Sequence, residues 1–274
     1  MATFNEQVRR SVAGDGSGAA GERAGPVVRW TAPGGQDWSG IAWSDLEAGT
    51  ADQVIADQVA FFAERGESFE WKTYSYDQPA DLGERLLAAG FTAGDPESVM
   101  VAEAAGAARP DGAAAQAADV AGAPPGSADL PLPPGIRLVP VTDEAGVGLL
   151  TDVHDRVFGR DNARLRAAMT TRLRDAPETV AMVLAMAGDE PVSSARIEFA
   201  PGTEFAGLWG GGTLPQWRGR GIYRALVAYR ARLAVARGYR YLMVDASPQS
   251  RPILERLGFS CLALTTPYVW SPHP

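Results

Sequence analysis

The sequence predicts an α/β (α+β) protein with two domains. Strand and helix patterns alternate in both halves of the 274-residue chain. A stretch rich in Ala, Pro and Gly separates the halves, as linkers do. The second half also contains a Gly- and Arg-rich turn between a strand and a long helix. Mixed elements of this kind favour helices packed on a sheet over an all-α or all-β fold.

Changes in composition predict the domain boundaries. Residues 1–25 are rich in Gly, Ala and Ser and have no periodic apolar pattern, which is typical of a flexible tail. Residues 26–104 carry enough apolar pattern for a small first domain. Residues 105–134 predict a linker with polyproline character near its end. Residues 135–274 form the second domain.

The individual elements follow from apolar periodicity and from Gly and Pro punctuation. In the first domain we expect strands over residues 27–30, 69–76 and 99–102, and helices over 52–65 and 81–89. In the second domain we expect strands over 136–141, 180–187, 191–199, 204–214, 241–246 and 259–269. Its helices are expected over 143–158 (one helix or two short ones), 163–174 and 221–237. A last helix is expected to be capped by Ser247, to have Pro248 at its first position and to end at Gly258.

Charge and composition exclude several classes of protein. The net charge of −8 argues against a nucleic-acid binder, since phosphate neutralisation requires a basic face. No apolar stretch is long enough to cross a bilayer, and the N-terminus has no apolar core of a secretory signal. Cys261 is the single cysteine, so no disulfide framework is expected. We therefore expect a cytoplasmic protein without nucleic-acid or membrane partners.

The turn in the second half predicts a phosphate site. A strand is followed by Gly219 and Gly221 and then by a helix, an arrangement that aims backbone N–H groups and the positive end of the helix dipole at one point. Arg218, Arg220 and Arg224 can add charge-assisted hydrogen bonds. The missing lysine excludes a P-loop, and the missing third glycine excludes a dinucleotide-binding fingerprint.

The segment RGRGIYRAL resembles the pyrophosphate-binding motif of the GNAT N-acetyltransferases, R/Q-x-x-G-x-G/A. We favour the register with Arg218 at the first position and Gly221 at the central glycine. The alternative register starts at Gln216, with Gly219 central. In the favoured register Tyr223 stands where the family usually has Gly or Ala. Its side chain either crowds the path of the cofactor or points toward the protein.

The segment SPQSRPILERLGF resembles a second GNAT motif, the strand–helix unit that ends in Leu-Gly-Phe. Ser247 falls where the family commonly has Asn, so the resemblance implies a contact with the cofactor or a helix cap. Leu254 falls where the family commonly has the Tyr that protonates the leaving thiolate. The resemblance therefore implies that the usual acid is missing, and that Tyr268, Tyr223 or water replaces it.

The GNAT resemblance, which covers about residues 134–269, implies a mixed, mostly antiparallel central sheet flanked by helices. It also implies acetyl-CoA as co-substrate, with pantetheine beside the strand and pyrophosphate at the turn. The residues implied to bind this cofactor are Gly211, Gly212, Thr213, Arg218, Gly219, Arg220, Gly221, Ile222, Tyr223, Arg224 and Ser247.

The resemblance further implies acetyl transfer to a primary amine of a small molecule or peptide by direct attack. Glu204 is the first candidate for the base that deprotonates the amine, and Glu198 is the second. No cluster of residues has the spacing of a metal site. The alternative function is an acyl-CoA-binding regulatory module without turnover, and a homodimer is left open.

The first half contains a weaker form of the same strand–helix pattern. Residues 69–91 form a strand–helix unit that ends in Gly-Phe, as residues 247–259 do. This similarity suggests a degenerate GNAT-like domain that lacks the Arg-Gly turn and binds no cofactor. Convergence of two ordinary strand–helix units is the other interpretation.

Overall fold

The computed structural model describes residues 1–14, 18–32, 38–108, 130–159 and 162–272. Its backbone divides into two compact units. The first comprises Met1–Met100, Asp245–Arg251 and Cys261–Pro274, and the second comprises Val101–Val244 and Pro252–Ser260. This division differs from the predicted boundaries, because C-terminal residues join the first unit. Residues 109–129 of the predicted linker lie outside the described residues.

The elements of the first unit are short and are named in chain order. The strands are β1 (Ala20–Ala24), β2 (Val27–Thr31), β3 (Gly40–Ser44), β4 (Phe69–Tyr74) and β5 (Thr92–Ala93), followed by β6 (Glu97–Glu103), which ends in the second unit, and by the last strand of the chain, β12 (Ser260–Trp270). The helices are α1 (Ala2–Phe4), α2 (Ala51–Ala63) and α3 (Leu82–Ala88).

The sheet of the first unit has the order β1-β2-β3-β4-β12, with β5 paired to β12. The pairs are antiparallel except β3 with β4, which run parallel. Aromatic packing forms the core: the Phe62 ring of α2 stacks on Phe69 at 4.1 Å between centroids, and Trp71 is fully buried beside them. The predicted strands and helices of this region are confirmed, whereas β3 was missed because it is short and begins at a glycine.

The predicted flexible tail at residues 1–25 is wrong for its described part. Helix α1 continues into a π-helical turn over Asn5–Arg9, and β1 pairs along its whole length with β2. Phe4 and Arg9 are both buried. The local sequence does not predict this ordered structure, because a few buried side chains anchor the segment and it has no periodic apolar face.

The second unit has longer elements. Its strands are β7 (Ile136–Val141), β8 (Val180–Ala187), β9 (Glu190–Phe199), β10 (Phe205–Thr213) and β11 (Tyr241–Ala246), the last of which ends in the first unit. Its helices are α4 (Ala104–Ala107), α5 (Glu144–Phe158), α6 (Ala163–Asp175), α7 (Ile222–Ala236) and α8 (Arg251–Arg256), whose first residue belongs to the first unit.

The sheet of the second unit has the order β7-β8-β9-β10-β11 and is antiparallel except for the parallel pair β10 and β11. Helices flank it on both faces. A Cβ built on Gly212 would meet Val157 of α5, whereas one built on the adjacent Gly211 would meet Tyr223 of α7. Since side chains of neighbouring strand residues point to opposite faces, α5 and α7 lie on opposite faces of β10. The predicted mixed, mostly antiparallel sheet flanked by helices is therefore confirmed.

Most boundaries in the second half agree with the prediction to within one or two residues. Asp143 caps α5 by accepting a hydrogen bond from the N–H of Gly146 at 2.8 Å. The last helix is the exception, since α8 begins at Arg251 and not at Pro248. The Ser247 hydroxyl and carbonyl accept hydrogen bonds from the N–H of Ser250, which forms a turn before the helix. No described helix is long and apolar enough to span a bilayer.

Candidate active site

A cleft opens where strand β10 leaves its parallel neighbour. The two strands pair only from Phe205 to Gly207 on β10 and from Tyr241 to Met243 on β11, although β10 continues to Thr213. On its other side, β10 bulges away from β9 between Trp209 and Gly212. Gly210 within the bulge has φ +57°, a conformation that other residues adopt only with strain. The second half of β10 therefore presents backbone groups that no ladder with β11 uses.

The turn that follows β10 carries a row of free backbone donors. Among the described residues, no protein group accepts a hydrogen bond from the N–H groups of Gly219 through Arg224. The first backbone bond of α7 is from the N–H of Ala225 to the carbonyl of Gly221. Gly219 and Gly221 have φ values of +75° and +85°, and a Cβ on either would meet open space. Such a row at a helix N-terminus is an anion site.

Three guanidinium groups surround this turn. Arg218 donates from Nε to the carbonyl of Thr213 at 3.0 Å, which ties the turn to the end of β10. The Arg220 guanidinium lies 4.7 Å from the Trp217 ring centroid, and Arg224 is exposed on the first turn of α7. In the described part of the chain none of the three forms an ion pair with a carboxylate. Their charge is thus not cancelled by the protein, which favours an anionic ligand.

Tyr223 points toward the protein. Its Cε2 would lie 3.1 Å from a Cβ on Gly211, so the ring packs under β10 on the α7 side. Burial raises the pKa of the Tyr223 hydroxyl. The ring neighbours Arg230, which is 1% exposed and donates to the carbonyls of Leu226 and Arg196 at 3.0 and 3.1 Å. Burial lowers the pKa of Arg230 to about 10. Arg230 thus satisfies a carbonyl beside the bulge of β10.

On the α5 side of the bulge, His154 lies against Gly210. Its Cδ2 would be 3.3 Å from a Cβ there. The Asn162 side-chain nitrogen lies 3.0 Å from His154 Nδ1 and donates to Asp155 Oδ1 at 2.7 Å. The Asp155 carboxylate can only accept, so the Asn162 atom that contacts it is the amide nitrogen. The same nitrogen faces His154 Nδ1, which therefore also accepts a hydrogen bond. In the neutral imidazole the proton is then on Nε2.

A cavity of about 450 Å³ lies between α5 and α6. Asp155 and Asn162, the neighbours of His154, form part of its wall. Glu144 and Asp152 add two more carboxylates, and Arg166 is the one basic side chain among the described lining residues. The described wall therefore has net negative charge, which suits a cationic ligand.

The two predicted base candidates occupy different positions. Glu204 directly precedes β10, and its carboxylate lies 3.7 Å from Arg240. Glu198 on β9 is opposite Gly207, where β10 and β11 stop pairing. Both oxygens of Glu198 are engaged, one by Arg196 at 2.7 Å and the other by Arg172 at 3.1 Å. Neither assignment is tested by this geometry, and both stay predictions.

The other predicted residues divide between the units. Gly211, Gly212 and Thr213 lie on the half of β10 that does not pair with β11, and Ser193 Oγ donates to the Gly212 carbonyl at 2.7 Å. Ser247 lies in the first unit, so its predicted contact with the cofactor stays a prediction. Leu254 is fully buried, as expected for an apolar residue in the place of the family's acid. The described residues contain no group that could hold a metal ion.

Sequence reasoning missed Arg230 and undervalued His154. Both contact the bulge of β10 from helices that precede or follow it by many residues. An arginine inside an apolar helix face was the available signal for Arg230, since buried arginines are rare. No signal in the sequence marks His154, because its neighbour Gly210 comes from another element.

The first unit has a counterpart of the turn, between β3 and α2, but its groups are engaged. The N–H groups of Thr50 and Ala51 both donate to the carbonyl of Glu47 at 3.0 Å. Asp45 and Glu47 also make the turn acidic. The strand–turn–helix–strand order is the same as in the second unit, whereas the anion site is absent from these described residues.

Comparisons with known proteins agree with this arrangement. Residues 149–259 match the sequence model of the Acetyltransferase (GNAT) family. No curated protein matches the chain. A GCN5-related N-acetyltransferase from Kribbella flavida has a similar structure with a TM-score of 0.67 at 15% identity, covering 100% of this chain and 94% of its own.

Two further solved structures are similar over most of both chains. A GCN5-related N-acetyltransferase from Sphaerobacter thermophilus has a TM-score of 0.56 at 14% identity, covering 91% of this chain and 81% of its own. A tandem GNAT protein from the clavulanic acid biosynthesis pathway has a TM-score of 0.56 at 10% identity, covering 90% and 79%. At these identities the likeness concerns the fold. The chain therefore has the GNAT fold along its length, and its residues 149–259 match the model of the GNAT acetyltransferase family.

Proposed function

We propose that the second unit transfers an acetyl group from acetyl-CoA to a primary amine of a small molecule or peptide. The observation that carries this proposal is the row of unbonded N–H groups from Gly219 to Arg224. Six donors on one turn match the many acceptor oxygens of a diphosphate. The uncancelled charges of Arg218, Arg220 and Arg224 add to the same preference. Among acyl donors, coenzyme A is the one that carries such a diphosphate.

The half of β10 that does not pair with β11 would bind the rest of the donor. Gly212 and Thr213 pair with β9, and their carbonyls already accept from Ser193 and Arg218. The backbone groups of Gly211, Gly212 and Thr213 that face away from β9 are therefore the ones proposed to hydrogen-bond the amide groups of pantetheine as an added strand. The bulge at Gly210 would then bring a backbone N–H near the thioester carbonyl, where negative charge develops during attack. Holding both reactants in one cleft supplies a further part of the rate.

An amine acceptor is supported by the charge of the cavity between α5 and α6. Asp152 and Asp155 line it, and its wall includes Asn162, which contacts His154 beside Gly210. An ammonium group bound there would lie close to the bulge. The amine must lose a proton before it attacks, and Glu204 or a water molecule is proposed to accept it.

His154 is our candidate for the group that assists the leaving thiolate in place of the missing acid. Its Nε2–H can hydrogen-bond to the sulfur as the carbon–sulfur bond breaks and the amine forms the new carbon–nitrogen bond. The neutral ring keeps its proton, and CoA leaves as the thiolate. We expect His154→Phe, which removes this donor, to lower kcat about 10- to 100-fold. The loss is modest because a thiolate with a pKa near 8.5 is already a fair leaving group.

A comparison of kcat with cofactor binding tests this assignment. For His154→Phe we expect kcat to fall while the affinity for acetyl-CoA is unchanged. Glu204→Gln should also lower kcat, because the amine then loses its proposed proton acceptor. A His154→Phe enzyme that keeps the rate of the unsubstituted chain would exclude the imidazole from this role.

A coupled measurement tests the function itself. Acetyl-CoA is mixed with the protein and a panel of primary amines, and released CoA is measured with a thiol reagent. We expect release that depends on both an amine and the protein. Thermal stabilisation by acetyl-CoA without release by any amine would favour the alternative, a regulatory module that binds acyl-CoA without turnover. Absence of both would refute the site.

A further inference from the structure

A buried arginine from the N-terminal segment occupies a site of its own in the first unit. Arg9 is 1% exposed, and its Nη1 and Nη2 donate to both oxygens of Asp77 at 2.8 and 2.9 Å. Its Nε donates to the carbonyl of Ala42 at 3.1 Å. The Asp77 carboxylate is held in turn by the N–H of Tyr74 at 2.9 Å. This bidentate pair is the geometry that a planar guanidinium fits and an ammonium does not.

Three aromatic rings complete the site. The Arg9 guanidinium carbon lies 3.7 Å from the centroid of Tyr74, 4.5 Å from Trp43 and 5.3 Å from Tyr76. The faces of such rings attract cations, most strongly when water is excluded. Asn5 secures the segment by accepting a hydrogen bond from the Tyr76 hydroxyl at 2.6 Å. A carboxylate, a carbonyl and three rings thus converge on the Arg9 guanidinium, and Arg10 shares the Trp43 ring at 4.2 Å.

The site lies where the parallel strands β3 and β4 stop pairing. Strands β3 and β4 run parallel but pair only at Gly40 with Glu70 and at Ile41 with Trp71. Ala42 is the first residue beyond the paired stretch, and its carbonyl accepts from Arg9 where a ladder would have continued. The Arg9 side chain therefore fills the cleft between the diverging ends of β3 and β4. In the second unit the corresponding cleft is the one between β10 and β11.

We propose that the cleft of the first unit is a binding site for an arginine side chain on a peptide, and that residues 1–10 are its ligand within the same chain. The segment takes the place that the acyl donor is proposed to take in the second unit. The site itself depends only on contacts in the first unit and does not require that the second unit transfer acetyl groups. The expected ligand class is a guanidinium carried on a peptide, with Arg9 as the native occupant.

Binding of the segment as a separate peptide provides the first test. A chain without residues 1–12 is titrated with a synthetic peptide of residues 1–14 by calorimetry. We expect one peptide to bind per chain. A peptide with Arg9→Met should bind at least 10-fold more weakly, whereas the control Thr3→Ala peptide, altered at an exposed residue, should bind as the parent does. Equal binding of the Arg9→Met peptide would overturn the proposal.

Chemical rescue in the full-length chain provides a second test that does not depend on the shortened chain folding. Arg9→Ala removes the guanidinium and leaves its partners in place. We expect millimolar N-ethylguanidinium to raise the melting temperature of this variant by several degrees and that of the unsubstituted chain by much less. N-ethylurea has the same shape without charge, and ethylammonium has charge without the planar fork, so neither should rescue. Equal rescue by N-ethylurea would contradict a guanidinium site.

Acetyl-CoA binding is measured in parallel on every variant. Because the turn after β10 lies in the other unit, we expect the affinity of each variant for acetyl-CoA to stay within twofold of that of the unsubstituted chain. Failure of peptide binding and rescue with acetyl-CoA binding intact would refute the arginine site alone. Loss of acetyl-CoA binding in the unsubstituted chain would refute the proposed function and leave the arginine site standing.

Discussion

Gly221→Glu is expected to weaken acetyl-CoA binding at least 100-fold. Gly221 has φ +85° at the N-terminus of α7, beside the free N–H groups of the turn. A carboxylate placed there would occupy the anion site and repel the diphosphate, and juxtaposed like charges cost several kcal/mol. Isothermal titration of the purified variant with acetyl-CoA measures the loss.

The other end of the same helix offers a matched control. Gly238 follows α7 with φ +80°, and a Cβ at either glycine would meet open space. Gly238→Glu therefore carries a similar backbone strain of about 1–2 kcal/mol without placing charge at the turn. We expect this variant to bind acetyl-CoA as the parent does. Equal losses in both variants would mean that strain, and not the anion site, explains the effect.

Arg9→Ala is expected to lower the free energy of unfolding of the first unit by about 3–5 kcal/mol. The substitution leaves Asp77 as a buried carboxylate without its cation. Burial already raises the pKa of Asp77 in spite of Arg9. Urea unfolding at pH 7, followed by tryptophan fluorescence, measures the change, because five of the seven tryptophans belong to the first unit.

Neighbouring and double substitutions identify the cause of this loss. Arg10 is partly exposed, lies 3.9 Å from Glu6 and has its guanidinium carbon 4.2 Å from the Trp43 ring centroid, but it has no buried carboxylate partner, so Arg10→Ala should cost only about 1 kcal/mol. Arg9→Met combined with Asp77→Leu should recover part of the stability, since no unpaired charge is then buried. A double variant less stable than Arg9→Ala would show that the lone carboxylate is not the reason.

The second half was predictable because its elements are long and its turns carry clear signals. The continuous apolar run of β8 and the periodic face of α7 specify their own structure, and the glycines around Arg220 indicate the anion site directly. The family resemblance followed from the turn before α7 and from the strand–helix segment that ends in Leu-Gly-Phe, and the resemblance in turn implied the mixed sheet. Sequence rules succeed for long segments, because the apolar pattern within such a segment is enough to define both its secondary structure and its buried face.

The first unit was harder to predict because distant contacts determine it. Strand β3 is too short for a periodic signal, and its pairing depends on Glu70 approaching the bare backbone of Gly40. Order in the N-terminal segment depends on Asp77, far away in sequence. The bulge of β10 likewise depends on His154 and Arg230, which no local pattern connects to it.

The chain order of the first unit has a consequence for biosynthesis. Strand β4 lies between β3 and β12, and β12 is made from Ser260–Trp270. While the nascent chain is still being translated, β4 has an open edge until those residues have left the ribosome. The sheet of the first unit can therefore be completed only after the C-terminal residues are synthesised, and until then the exposed edge of β4 is a surface to which a chaperone can bind.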